Sequence, residues 1–363
     1  MGMRVLIVNA DEGGCGWYRL FFPGRVLANE IDFELATDES FTVTLNKEWG
    51  GGPNDAVVTG VELLKDYDVV IFQRPLNKVM ADVIPMIQAQ GVAVVVELDD
   101  DFWHIDQRNV AFVRHHDSPF YNSDHLSRAC RAADMVTVST PKLAEVVPSS
   151  RVRVLRNCVP ESYFDVRAKT EGALLDERVA GQTLVGWTGK PETHPGDLEV
   201  MRDSVARTVR EFGARFVAIG DPRTAHMLGF NAGEAIYTEA VTILKYPEAI
   251  KNLDIGLVPL KTSIFNDSKS WLKGIEYAAL GVPFVASSTP EYMIMGSMGA
   301  GMIADHPHDW TRKLRMLLAN EHLRAEYAES GLEVARLWTY EKRAYRWAEA
   351  WQQAITNRAK AKT

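Results

Sequence analysis

Short, predominantly apolar runs recur along this chain with helical stretches between them, and this rhythm leaves few architectures open. Met3 to Asn9, Asp68 to Gln73, Val92 to Leu98, Met135 to Ser139 and Arg153 to Leu155 are such runs. A strand apolar at successive positions is covered on both faces, which is the condition of a parallel sheet. Between these runs, Lys78 to Gln90, Ser123 to Ala133 and Pro141 to Val147 predict helices. Thr140 before Pro141 supplies a cap and a first-turn proline.

The rhythm pauses over residues 168–182, a polar stretch with little apolar periodicity, and then restarts. Leu184 to Trp187, Phe216 to Ile219, Ile255 to Leu260 and Pro283 to Ala286 predict a second set of strands. A chain of 363 residues exceeds one ordinary core, so two α/β domains are expected. We expect residues 1–167 as a first doubly wound domain, 168–182 as linker and 183–335 as a second, the two facing across a cleft. Ligands of such sheets sit beyond the carboxyl ends of the strands. The stretch from 336 to 363 carries Trp338, Tyr340, Ala344, Trp347, Ala348, Trp351 and Ile355 at helical spacing. We expect this aromatic helix to cross back onto the first domain.

A net charge of −8 argues against an electrostatic grip on bare nucleic acid or anionic lipid. No apolar run approaches the ~18 residues of a membrane span. The start, MGMRVLIVNAD, reads as a buried strand rather than a leader. Cys15, Cys130 and Cys158 are widely spaced and show neither zinc nor disulfide spacing, which suits a reducing cytoplasm.

The segment Phe265 to Ser287, FNDSKSWLKGIEYAALGVPFVAS, carries the most chemistry. A polar loop through Asp267 leads to a helix expected to begin near Ser268. Trp271, Leu272, Ile275 and Ala279 form its buried face, and Gly281 with Pro283 stops it. Strand, loop, helix and next strand make one right-handed crossover. The helix N-terminus offers free N–H groups and a positive dipole end to an anion, and Lys269 adds a charge. Ser268 and Glu276 lie eight residues apart, or ~12 Å if wholly helical. That is about the reach from a sugar across a diphosphate to a ribose, whose hydroxyls a carboxylate binds well. A plainer reading stands beside this one: Ser268 as an N-cap, and Lys273 with Glu276 as a surface pair.

Near the N-terminus, Gly13 to Gly16 follow the first strand and allow close approach of a ligand, although the dinucleotide spacing Gly-x-Gly-x-x-Gly is absent. Glu97, Asp99, Asp100 and Asp101 cluster where the strand from Val92 ends. Crowded carboxylates raise at least one pKa or require a cation, and at a strand end they suit proton transfer or binding of sugar hydroxyls. Satisfaction by backbone N–H groups and arginines such as Arg74 is the structural alternative. Arg114, His115, His116 and Asp117 form another cluster, in which adjacent histidines point apart and a shared metal is not expected.

FNDSKSWLKGIEYAALGVPFVAS resembles the donor motif of the retaining family 4 glycosyltransferases of GT-B fold. That pattern has two glutamates separated by seven residues, the second followed by a small-residue helix end and a Gly-x-Pro-x-x-Ala strand. Glu276, Gly281, Pro283 and Ala286 match it, and Ser268 stands where the first glutamate would be. ADMVTVSTPKL from Ala133, then Val154-Leu155-Arg156-Asn157, is similar to the family's last N-domain strands. Val185 to Lys190, with His194 and Asp197, is similar to the first C-domain strand and its loop.

The resemblance implies Glu276 on the ribose, with Ser268, Lys269 and Ser270 at the sugar and diphosphate. Lys190 and His194 become diphosphate candidates, and Gly14, Gly16 and Arg19 lie in the loop the family uses near donor phosphates and acceptor. Asp99 and Asp100 are the catalytic candidates, Asp99 standing near the place of a histidine in many members. The implied reaction moves a hexose from a nucleoside diphosphate sugar, such as UDP-glucose or GDP-mannose, to a hydroxyl with retention. Helix dipole and basic residues do the work of a metal in this fold, so neither metal nor cofactor is expected. An Asp-x-Asp metal site belongs instead to the other large transferase architecture. An epimerase or hydrolase of sugar nucleotides, or a non-catalytic binding protein, are the alternatives. The chain is similar to short bacterial and phage members, whose acceptors include glycans, proteins and modified DNA bases.

Overall fold

The computed structural model describes residues 2–37, 40–41, 45–49, 56–112, 122–168, 181–201 and 203–361. Most of the expected linker, and the cluster Arg114 to Asp117, lie outside the described residues. The chain forms two compact units. One comprises Met1–Asn157, Ser268–Ser270 and Tyr340–Thr363, the other Cys158–Asp267 and Trp271–Thr339.

The first unit contains strands β1 (Met3–Asn9), β2 (Ile31–Thr37), β3 (Asn46–Trp49), β4 (Ala56–Gly60), β5 (Val69–Gln73), β6 (Ala93–Leu98), β7 (Met135–Val138) and β8 (Val152–Val154). Six of them make a parallel sheet in the order β2-β1-β5-β6-β7-β8, while β3 and β4 pair antiparallel. Every residue of β5 and β6 is buried, Gln73 and Glu97 included, in keeping with the apolar runs Val69–Phe72 and Ala93–Val96. The strand order reverses direction between β1 and β5, so ligand-binding loops are expected at the carboxyl ends of these two strands.

The second unit contains β9 (Leu184–Thr188), β10 (Arg215–Gly220), β11 (Ala235–Glu239), β12 (Ile255–Val258), β13 (Phe284–Ser287) and β14 (Met302–Ala304), all parallel in the order β11-β10-β9-β12-β13-β14. Its reversal lies between β9 and β12. Val185, Trp187, Phe216, Ile255, Val285 and Trp310 belong to one core that helices such as Ser204–Glu211 and Pro307–Ala319 help close. The Leu272–Ala279 helix seats on this sheet because β12 carries Gly256: a Cβ there would stand 2.6 Å from the Tyr277 ring.

Sequence and structure differ at the edges. The terminal strands β2 and β11 mix polar with apolar residues, because an edge strand buries less of itself, and β14, though apolar, is only three residues long; Leu35 in β2 is 48% exposed. The Ser162–Ala168 helix, expected with the first half, packs in the second unit on the Leu272–Ala279 helix. The aromatic stripe is divided as well. Trp338 meets Trp271 edge-on within the second unit, their ring centroids 4.7 Å apart. From Tyr340 onward the chain packs in the first unit, where the Trp347 indole N–H donates to the Arg19 carbonyl at 2.8 Å and Asn357 Nδ2 to the Asp134 carbonyl at 2.9 Å. Among the described residues no helix is long and apolar enough to cross a membrane.

Candidate functional site

In the second unit the candidate residues gather where β9 and β12 end. Thr188, the last residue of β9, ties three elements together. Its hydroxyl shares a hydrogen bond of 2.8 Å with the Tyr246 hydroxyl, and its carbonyl accepts from Lys273 Nζ on the Leu272–Ala279 helix. Glu276 lies on that helix, 4% exposed. Burial, followed by the Glu276 charge, pushes the Tyr246 phenol well above its ordinary value. The Tyr277 and Tyr292 phenols are also raised, by burial first. A buried carboxylate among tyrosines is an acceptor poised for hydroxyl donors. Its burial removes the surface-pair reading of Lys273 and Glu276.

The loop after β9 holds Lys190 and His194. Lys190 is exposed, and its charge contributes, behind the Arg223 hydrogen bond, to holding the Asp221 carboxyl below its usual range. His194 Nδ1 lies 3.0 Å from Asp197 Oδ2 and its ring meets Trp187 edge-on at 5.9 Å. Asp197 Oδ1 in turn accepts from the Lys261 N–H at 3.0 Å and from Asn266 Nδ2 at 2.8 Å. Burial alone would raise Asp197; His194 and these two donors outweigh it and hold the carboxyl below its ordinary value. The pair thus fixes the imidazole and braces the loop after β12 at once.

One expectation about this segment is corrected. The helix does not begin near Ser268. A short turn of helix spans Ile264–Asp267, residues 268–271 are not helical, and the helix proper starts at Leu272 with Trp271 in the cap position. The ~12 Å estimate for a wholly helical Ser268 to Glu276 therefore does not apply, and the first-turn N–H groups belong to residues from Leu272 rather than to Ser268–Ser270. The reason is that Ser268–Ser270 is engaged elsewhere. These three residues pack in the first unit, where Thr140 Oγ1 donates to the Ser268 carbonyl at 2.8 Å and Asn157 Nδ2 to Ser270 Oγ at 2.8 Å. Lys269 Nζ lies 3.3 Å from Asp100 Oδ1.

In the first unit the turn after β1 is built on Asp11. Its carboxylate accepts from the Gly13 N–H at 2.7 Å and pairs with Arg74. Gly16 faces the Asp11 carbonyl so closely that a Cβ would stand 2.3 Å from it, whereas Gly14 has nothing within 4 Å and is open. Cys15 lies between these two glycines. Burial, then the Asp99 and Asp100 charges, push its thiol well above the usual range. Asp99 Oδ1 is buried without a hydrogen-bond partner among the described residues, while the Asp99 carbonyl accepts from Ser139 Oγ at 2.9 Å.

The other two carboxylates of this cluster are structural. Asp101 is fully buried and accepts from the N–H groups of Trp103 and His104 at 3.0 and 3.2 Å, an Asx turn that shapes the loop. Glu97 is satisfied by Arg19 at 2.7 Å and by the Thr137 hydroxyl, not by Arg74. Arg19 is thereby corrected as a ligand-binding candidate. It is fully buried in a π-helical turn, Trp17–Phe21, and its guanidinium serves Glu97, the Leu155 carbonyl and Asn157 Oδ1. A helix-start arginine gives no sign in sequence of which way it points. Nothing in the sequence marks Tyr246 and Thr188 as neighbours of the Leu272–Ala279 helix, whereas Lys273 carries a signal: it lies three residues before Glu276, on one helix face.

No protein-family model matches the chain, and no curated protein matches it in sequence. Solved structures match along nearly its whole length. Sucrose-phosphate synthase from Thermosynechococcus elongatus superposes with a TM-score of 0.66 at 13% identity, covering 98% of this chain and 99% of that one. HepE of Anabaena, solved in complex with UDP-glucose, gives 0.66 at 12% identity over 96% of this chain and 98% of its own. A Listeria monocytogenes protein assigned as a UDP-N-acetylglucosamine 2-epimerase gives 0.56 at 12% identity over 96% of each. The chain has the GT-B fold. At such identities the likeness is one of fold, and the activity rests on the site.

Proposed function

We propose that this protein is a glycosyltransferase that moves a hexose from a nucleoside diphosphate sugar to a hydroxyl acceptor. The observation that carries the reading is Glu276: a carboxylate 4% exposed, set among tyrosines on the helix that follows β12, at the reversal point of its sheet. Such a group accepts two ribose hydroxyls, and the fold likeness to HepE, whose structure contains UDP-glucose, supports a sugar nucleotide as the ligand. The first-turn N–H groups from Leu272, with Lys190 and His194, stabilise charge as it collects on the departing diphosphate. Asp99, whose Oδ1 lacks a partner among the described residues, is suited to accept the acceptor's proton, with Asp100 and Lys269 beside it. Retention of configuration and independence of metal follow from the family resemblance and belong to this proposal, as does the assignment of donor to the second unit and acceptor to the first.

The likeness to the assigned epimerase favours one second reading, turnover of a sugar nucleotide without acceptor. Incubation with a panel of UDP- and GDP-sugars, with and without cell extract as acceptor source, and mass spectrometry of the products separates the two. Release of nucleoside diphosphate coupled to a hexose mass increment on an acceptor is the expected result. Conversion of donor alone sinks the transferase reading in favour of the second. No turnover and no binding of any donor sinks both.

A further inference from the structure

We infer that Lys273 is a diphosphate-binding residue, an additional cation built into the donor helix itself. The inference rests on the donor reading above and names a residue that the family motif does not supply. Lys273 occupies the second position of the Leu272–Ala279 helix, whose first turn carries no acidic residue and whose cap residue Trp271 makes no side-chain capping bond. A cation there sits at the positive end of the helix dipole, where an acid would be favoured and a cation is not. Exposed, such a lysine would turn to solvent. This one turns inward: its ammonium donates to the Thr188 carbonyl and lies 5.3 Å from the centroid of the Trp187 ring. These two contacts place the cation at the carboxyl end of β9, the strand at which the sheet reverses.

The spacing to Glu276 gives the placement its meaning. Three residues of helix advance ~4.5 Å along the axis on one face, about the length of a ribose. With Glu276 on the ribose hydroxyls, Lys273 meets the first phosphates, and an anion at the helix start converts the unfavourable dipole contact into a three-way attraction. Thr188 is then the resting partner of the ammonium, and its hydroxyl bond to Tyr246 keeps that carbonyl in place when the ammonium moves to phosphate.

The test is calorimetric titration of wild type, Lys273→Gln and Lys273→Arg with uridine, UMP and UDP, and with the guanosine series, alongside circular dichroism and thermal melts. For the base that wild type binds, Lys273→Gln is expected to weaken the nucleoside diphosphate about tenfold or more, the monophosphate less, and the nucleoside not at all. Lys273→Arg should recover most of the loss and retain the salt dependence of wild type. Equal weakening of all three ligands by Lys273→Gln assigns the lysine a structural role and overturns the inference, as does unchanged diphosphate affinity. If wild type binds no nucleoside diphosphate, the donor reading falls as well. If it binds and Lys273→Gln matches it, only the Lys273 assignment falls.

Discussion

Replacing Glu276 by glutamine keeps the size of the side chain and removes its charge, and the structure sets how much that matters. Glu276 is 4% exposed, so water screens it little. A hydrogen bond to a charged acceptor contributes ~1.5–3 kcal/mol and a neutral one ~0.5–1.5. The difference is about 1–1.5 kcal/mol per bond, and two ribose hydroxyls therefore lose about 2–3 kcal/mol. That corresponds to roughly 30- to 140-fold weaker nucleotide binding, at ~1.4 kcal/mol per decade. Titration calorimetry with UDP and GDP reads this directly. The 2′,3′-dideoxy nucleotides complete a cycle: they lose both bonds whole and should bind wild type more weakly than the glutamine variant binds the full nucleotides, while the variant, with only neutral bonds to lose, should discriminate less between the two. Equal affinity of wild type and variant for every nucleotide would refute the ribose assignment. A ligand-free readout accompanies it. Burial first and the Glu276 charge second raise the Tyr246 phenol, so the glutamine variant should ionise a tyrosine at lower pH in an absorbance titration.

Three further outcomes are expected. Arg19→Met leaves Glu97 buried without its cation and should destabilise the protein by ~3–5 kcal/mol in urea melts, with much of the loss recovered in Arg19→Met/Glu97→Met; a single-variant loss below ~1 kcal/mol would show that the pair does not pin the turn. The Asp197 carboxyl is held below its unfolded value, so its stabilisation is present above the unfolded pKa near ~3.9 and disappears as pH falls through the folded one; Asp197→Asn should flatten that part of a melting-temperature profile below pH ~5, and parallel profiles would count against it. Gly256→Ala drives a Cβ to within 2.6 Å of the Tyr277 ring and should cost ~1–3 kcal/mol by thermal denaturation, whereas a neutral change would mean the helix has room to lift.

Much of the architecture is legible without coordinates, for a definite reason. β5 and β6 are covered on both faces, so VVIFQ and AVVVEL carry their burial in composition alone. The edge strands β2 and β11 interleave polar residues, and β14 is only three residues long, so nothing local distinguishes them from loops. Glu276 was legible because its helix face and the Gly-x-Pro-x-x-Ala strand that follows are local patterns. His194 and Asp197 stood out in sequence only through the resemblance of the loop after β9, and neither their mutual bond nor the brace that Asp197 places on Lys261 and Asn266 was legible.

The same limit governs the segment from Phe265 to Ser287. Its residue types raise the expectation of an anion-binding helix, and Glu276 sits on the Leu272–Ala279 helix. Where the helix begins is a different kind of fact. Ser268 has the composition of a cap, yet Thr140 and Asn157, more than 100 residues away in sequence, bond to the strip Ser268–Ser270 and hold it out of the helix. Arg19 likewise reads as a charge available to a ligand until Glu97, the Leu155 carbonyl and Asn157 are seen to surround it. Periodicity and capping chemistry act over a turn or two of chain and are written in the sequence. The partner of a long polar side chain is chosen by residues distant in sequence, and only the tertiary structure decides it.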